Sequence, residues 1–413
     1  MTRRYGSGLL LAVAGIGSSH FLLAPTAGAR FGTALAWTIL VGHVIKYPAF
    51  RDATLYTTRT GRSVLEAFAT LPGPRRWALW ATLALLAVQV AFVIAGVTLV
   101  TVGVVQAAWP NHYSATIFVA LVDATGVLLW TGRYHGLQRF SAWALAVMAV
   151  MTVIAVAVAR PGDAIVVDTL VPQFPVASGV LIGALLGFMP APLEIAVMKS
   201  LWTREQLREG RNETEQDAMF DLRLGYGASF VLAILLMALA ARLLHPEHSD
   251  ASNFDMLALL AEAYVGALGA FAKPLILGAA FLGMFSTVYA ATDGYNRGIA
   301  GAWRGLWPKA FAGRDHAYWW TFYAVGLAAL GVMLWLPDPV AVVSLAANTT
   351  ILLAPLWAGL LLWVVWREPV ARGGRHELWT SVAALAALVA VAVAVLATLD
   401  WSLCPVAPTL PGC

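Results

Sequence analysis

The chain has 413 residues, of which 60% are apolar and only 12% charged, and its mean hydropathy is +0.76. A soluble domain carries about a quarter charged residues. Here the charges fall in short clusters separated by apolar stretches of roughly 20 residues, the length that crosses a bilayer as a helix. A soluble enzyme, a nucleic-acid binder and a disulfide-rich secreted protein are thereby excluded, and the lipid bilayer becomes the first partner.

In chain order the apolar runs predict eleven transmembrane helices, near 8–28, 32–50, 77–106, 113–131, 139–159, 177–199, 225–244, 268–292, 318–336, 339–366 and 378–400. The first lacks a small-residue cleavage site and belongs to a periodic series, so it reads as a retained helix and not a signal peptide. No connecting stretch is long enough for a soluble domain. The chain reads as one transmembrane domain over 1–400 and a short tail, 401–413. With the N-terminus in the cytoplasm, 21 Lys and Arg fall inside and three, Arg30, Arg160 and Arg242, outside. That asymmetry orients the bundle in a bacterial-type cytoplasmic membrane and puts the C-terminus outside. Cys404 and Cys413 share that outer tail, where a disulfide or two free thiols are equally compatible with the sequence. Lys199 and Arg204 read as cytoplasmic anchors, and span 11, almost purely Ala, Val and Leu, as a peripheral helix tolerant of substitution.

Two spans are interrupted. The first carries Gly15, Gly17, Ser18, Ser19 and His20 near its middle, and the sixth carries Gly187, Met189, Pro190 and Pro192. Each proline lacks an N–H and clashes with the preceding turn, so at least one turn should open. Open backbone in hydrocarbon is tolerated only where it lines a cavity or is covered by protein. Spans 1 and 6 occupy matching positions if helices 1–5 and 6–10 are two repeats, about 6–160 and 175–366. Paired discontinuous helices of this kind point to the central site of a secondary transporter. Each break offers a helix N-terminus with free N–H groups and free carbonyls from the preceding half, so backbone geometry alone admits either sign of charge.

The stretch GSGLLLAVAGIGSSHFLLAPTAGARFG, with GRSVLEAF after it, resembles the start of the NRAMP family of divalent-metal transporters. KYPAF, FMPAPLEIAVMKSLW, FDLRLGY and MFSTVYAATDGYNR continue the likeness in order along the chain. The resemblance implies an all-α, polytopic fold of the LeuT/APC type, an inverted 5+5 repeat with helices 1 and 6 broken. Aligned on Gly6, Gly8, Gly28 and Gly32, the family's metal-binding aspartate falls on Gly17 and its asparagine on His20. Its Met-Pro-His falls on Met189, Pro190 and Ala191, and its metal-binding backbone position on Leu186. The carboxylate is therefore gone, and of the side-chain ligands only Met189 remains. Met189 and His20 would suit a soft or borderline metal but would hold Mg²⁺ or Mn²⁺ poorly without a compensating anion. The family's second histidine of helix 6 falls on Ala196, and span 3 holds Gln89 where the family carries acids, so the proton route is altered too.

The expected substrate site is Gly17, Ser18, Ser19, His20, Leu186, Gly187, Met189 and Ala191. Donors beside a helix N-terminus, with no carboxylate, favour a small oxyanion such as bicarbonate; the alternative is a divalent metal cation on a modified NRAMP site. Lys46 in span 2 reads either as a site residue or as a side chain snorkelling to the inner interface. Asp123, Glu194, Ser286, Thr287 and Asn348 are further candidates for a coupling-ion site or polar lining, the coupling ion being Na⁺ or H⁺. No cofactor or nucleic-acid partner is expected, and the chain reads as a monomer. A channel would need a polar pore face that no set of spans shows. A membrane enzyme would have only His20 with Asp123 to work with, and nothing in the sequence links them.

Overall fold

The computed structural model describes residues 15–110, 113–132, 134–158, 171–208, 214–245, 255–311, 316–371 and 374–403. The start of span 1 and both cysteines lie outside the described residues. The described chain is helical throughout, with no strand, and seven of its helices are long and apolar enough to cross a membrane.

Span 1 is interrupted at Ile16–Gly17. A π-helical turn, Ser19–Leu23, then runs into α1, Ala24–Phe31. Next come α2 (Ala36–Thr60), the short α3 (Val64–Phe68), α4 (Trp77–Ala108), α5 (Ser114–Thr131) and α6 (Tyr134–Val158). Span 6 is two helices, α7 (Gly179–Phe188) and α8 (Ile195–Arg208), separated by an open segment, 189–194. The chain continues with α9 (Glu215–Leu243), α10 (Asp255–Leu268), α11 (Ala272–Leu306), α12 (His316–Trp335), α13 (Pro339–Arg367) and α14 (Arg375–Leu403).

Several elements depart from the expected boundaries: α8 continues to Arg208 and α11 to Leu306, past the expected ends at 199 and 292. Helix α2 runs ten residues beyond the apolar stretch because the hydroxyls of Thr54, Thr57, Thr58 and Thr60 donate to carbonyls four residues back. Its polar inner half is thereby satisfied without water, and the helix stops at Gly61 in the left-handed region (φ 65°). Helix α9 begins ten residues before its apolar run, capped by the Thr214 side chain, which accepts from the Asp217 N–H; a polar start is no obstacle once a helix has left the membrane. The sequence reading has no element at α10, whose 14 residues are too short to be counted as a span.

Helix α11 is the hub. It packs on α4, α6, α10 and α12, with 78% of its most apolar window buried, against 17% for α5. The broken helices are seated by glycines. A Cβ on Gly28 of α1 would come within 2.3 Å of the Met237 carbonyl oxygen on α9, and one on Gly187 of α7 within 1.9 Å of the Ala347 carbonyl oxygen on α13. Helix α14 packs on α13, α2 and α7. It is also fastened by polar contacts: Ser381 donates to Asp52 (2.6 Å), and Arg51 donates to Asp52, Ser381 and the Glu377 carbonyl. Its near-pure Ala/Val/Leu composition hid this attachment, which lies in the helix's polar first turns.

Candidate functional site

The two breaks lie against each other. A Cβ on Gly15 would be 3.0 Å from the Pro190 carbonyl oxygen, so the backbone just before the first break abuts the open segment of span 6. Past Gly17 the helix restarts, with the N–H groups of His20 and Phe21 both donating to the Gly17 carbonyl (3.0 and 3.1 Å). Gly17 packs directly on Thr287 of α11. Ser18, Ser19 and His20, and across from them Leu186, Gly187, Met189 and Ala191, are all buried.

Lys46 decides the electrostatics. The full length of α2 puts it in the middle of the helix and not at its inner end, so the snorkelling alternative is corrected: the side chain is completely buried. Its Nζ donates to the carbonyls of Gly187 (2.5 Å) and Ala191 (3.0 Å). An ammonium therefore caps the end of α7 and spans the open segment, satisfying carbonyls that the break leaves without partners. Glu194 lies inside the open segment, fully buried, close enough to interact with Lys46. Its Oε1 accepts from the Tyr295 hydroxyl of α11 (2.6 Å). The buried Gln89 amide completes this polar core with Thr350 and Trp357 of α13 (both 3.4 Å).

His20 is held at both nitrogens. Ser19 Oγ lies 2.9 Å from Nδ1. Nε2 lies 3.0 Å from both the carbonyl and the hydroxyl of Ser229 on α9. The same Ser229 hydroxyl is 3.1 Å from Nε2 of His43 on α2, whose Nδ1 is 2.7 Å from the Ile39 carbonyl.

The remaining candidates divide. Thr287 donates to the Gly283 carbonyl of its own helix (3.0 Å) and reaches the Ile16 carbonyl at the first break (3.4 Å). Ser286 donates back to the Gly283 carbonyl of its own helix (2.8 Å). Asn348 donates to the Val180 and Ser344 carbonyls, tying α13 to the outer part of α7. Asp123 is a correction: it is exposed on the flank of α5, a peripheral helix, and balances no lysine of the centre. Lys199 is another, since it is buried and donates to Thr54 (3.0 Å) instead of anchoring at the interface. His43, Ser229 and Tyr295 were missed altogether. The one sequence signal for them was a histidine three residues before an intramembrane lysine.

Two helices broken opposite one another at the heart of an all-helical bundle define an interrupted-helix membrane transporter, not an enzyme. Comparison with known proteins gives the family. Residues 8–399 match the natural resistance-associated macrophage protein-like (Nramp) family. An uncharacterised protein of Pasteurella multocida (strain Pm70) is 31% identical over 303 residues, 71% of this chain and 68% of that protein. Among solved structures, an Eremococcus coleocola manganese transporter superposes with a TM-score of 0.69 at 12% identity, over 98% of this chain and 88% of its own. The nucleobase-cation-symport-1 family transporter Mhp1, in a closed conformation, gives 0.63 at 17% identity, over 99% and 94%. The chain belongs to the Nramp family and has the fold of these transporters.

Proposed function

We propose that this protein is a secondary transporter of a small inorganic anion, bicarbonate foremost. The observation that supports this reading is the Lys46 ammonium on the Gly187 and Ala191 carbonyls. A cation entering beside it meets the ammonium, a repulsion of at most about 4 kcal/mol per unit charge at 4 Å and an effective dielectric constant of 20, reduced by the neighbouring Glu194 carboxyl. Those carbonyls are also already engaged. The half-helix that restarts after Gly17 begins with backbone N–H groups of the kind that suit an oxyanion.

The rival reading is a divalent metal ion carried on Met189 and His20, and it draws on the fold shared with a manganese transporter. Against it, both His20 nitrogens are engaged in hydrogen bonds. No cluster of three or more His, Cys, Asp or Glu able to hold a metal occurs among the described residues. Purified protein in liposomes tests the choice, with radiolabelled bicarbonate counted directly and Mn²⁺ followed by an internal metal dye. We expect saturable bicarbonate uptake and none of Mn²⁺; robust Mn²⁺ uptake indifferent to bicarbonate overturns the anion reading. His20→Ala is expected to abolish uptake while the protein still elutes as a single species, and full activity in that variant removes His20 from the site.

A further inference from the structure

Four buried side chains from three separate helical elements make one continuous hydrogen-bonded line, and the site described above does not account for it. The carbonyls at the line set its polarity. The Ser229 carbonyl can only accept, so His20 carries its proton on Nε2; the Ile39 carbonyl can only accept, so His43 carries its proton on Nδ1. That leaves His20 Nδ1 to accept from the Ser19 hydroxyl and His43 Nε2 to accept from the Ser229 hydroxyl. All four bonds, from 2.7 to 3.1 Å, then point the same way, from Ser19 at the first break to His43. Purely structural histidines need no such shared direction.

We propose that Ser19, His20, Ser229 and His43 form a proton relay leading from the break in span 1 into α2. A proton taken by Ser19 Oγ from water at the break lets the Ser19 hydroxyl proton pass to His20 Nδ1. The His20 Nε2–H bond breaks as that proton moves to Ser229 Oγ, and the Ser229 hydroxyl proton moves to His43 Nε2. One proton enters, His43 becomes imidazolium, Ser19 and Ser229 are again hydroxyls, and His20 is left as its other neutral tautomer.

His43 is enclosed by rings of α9. Tyr226 and Phe230 of α9 present ring contacts at 5.7 and 5.5 Å, both perpendicular, and the buried Tyr226 hydroxyl has no hydrogen-bond partner among the described residues. The charged and titratable groups near the line are Lys46 and Tyr47 on α2, Tyr226 on α9 and Glu194 in the open segment. Lys46 stands three residues along the same helix face, so a charge on His43 repels the ammonium that spans the second break. Proton arrival at one break is thereby felt at the other. Beyond Lys46, Glu194 Oε2, Thr203 Oγ1 and the Asn296 amide are buried without hydrogen-bond partners among the described residues, positions that water would satisfy on an onward path.

This inference deepens the transporter reading and does not depend on which ion is carried. Liposomes loaded with a pH dye, free of bicarbonate and of metal, are given an inside-negative potassium diffusion potential, and proton entry is recorded for wild type, Ser229→Ala, Ser229→Thr and His43→Gln. Ser229→Ala removes the middle hydroxyl and leaves both imidazoles, whereas Ser229→Thr restores a hydroxyl. We expect wild type and Ser229→Thr to admit protons above protein-free vesicles, with Ser229→Ala and His43→Gln at least tenfold slower. If Ser229→Ala conducts like wild type, the relay is wrong. It is equally wrong if wild type matches empty vesicles both without cargo and with Mn²⁺ outside, and also fails to respond to an imposed pH gradient in radiolabelled bicarbonate uptake. Ser229-dependent proton entry without uptake of either ion would keep the relay and overturn the cargo proposal alone. A misfolded Ser229→Ala is recognised by its elution profile, and His20→Gln then tests the same line from its other side.

Discussion

A single side chain, Lys46, substitutes for solvent at the break of span 6. Replacing it by methionine keeps the bulk but strips the Gly187 and Ala191 carbonyls of their donor and leaves Glu194 as a buried acid without its neighbouring cation. A buried carbonyl left without its donor costs about 1–3 kcal/mol. Lys46→Met should therefore lower the melting midpoint in detergent strongly and abolish uptake, whereas Asp123→Asn, on the exposed flank of α5, should change neither. The two residues looked alike in the sequence, each a lone charge in an apolar run. What separated them was helix length and facing, which the polar, threonine-rich continuation of α2 concealed. His43 and Ser229 were less legible still. Their meeting spans 186 positions of chain, and no periodicity within either helix marks it.

At the scale of elements, the interruptions were readable because proline and clustered glycine act locally. Pro190 and Pro192 opened the segment where their missing N–H groups required it. The depth of contact around the half-helices was not readable, because it depends on the partner's backbone. Gly187→Ala would drive a methyl group into the Ala347 carbonyl of α13, and Gly28→Ala into that of Met237 on α9. Backbone oxygens cannot swing aside, so each substitution should cost at least the roughly 1–3 kcal/mol of an overpacked core. Gly331→Ala, on an exposed stretch of α12 with nothing near its Cβ position, should instead be neutral or slightly stabilising. Thermal melting of the three variants side by side checks this.

Across the whole molecule, α14 is a working part of the wall around the centre. Ser381→Ala removes a donor from the buried Asp52 and an acceptor from Arg51. A hydrogen bond to a charged group contributes about 1.5–3 kcal/mol, and a loss of that size should appear as a lower melting midpoint. Helical spans with opposed breaks could be anticipated from apolar run lengths and the two interruptions, and the Nramp architecture from the resemblance carried by six stretches of the chain. The attachment of the last helix could not, since it rests on a few polar residues in an otherwise featureless span.

The inner half of span 6 carries a consequence for how the molecule would change shape. Helix α8 is joined to the α2–α3 corner by three ties. Lys199 donates to Thr54, the Val64 N–H donates to Ser200, and Arg204 pairs with Glu66, which also closes the capping box on Ser63. Any swing of α8 must either sever all three or carry α3 along as one rigid lever. Cutting the tie farthest from the break with Arg204→Ala should free α8 to swing. A cysteine placed on α8 should then be labelled faster by a membrane-impermeant thiol reagent.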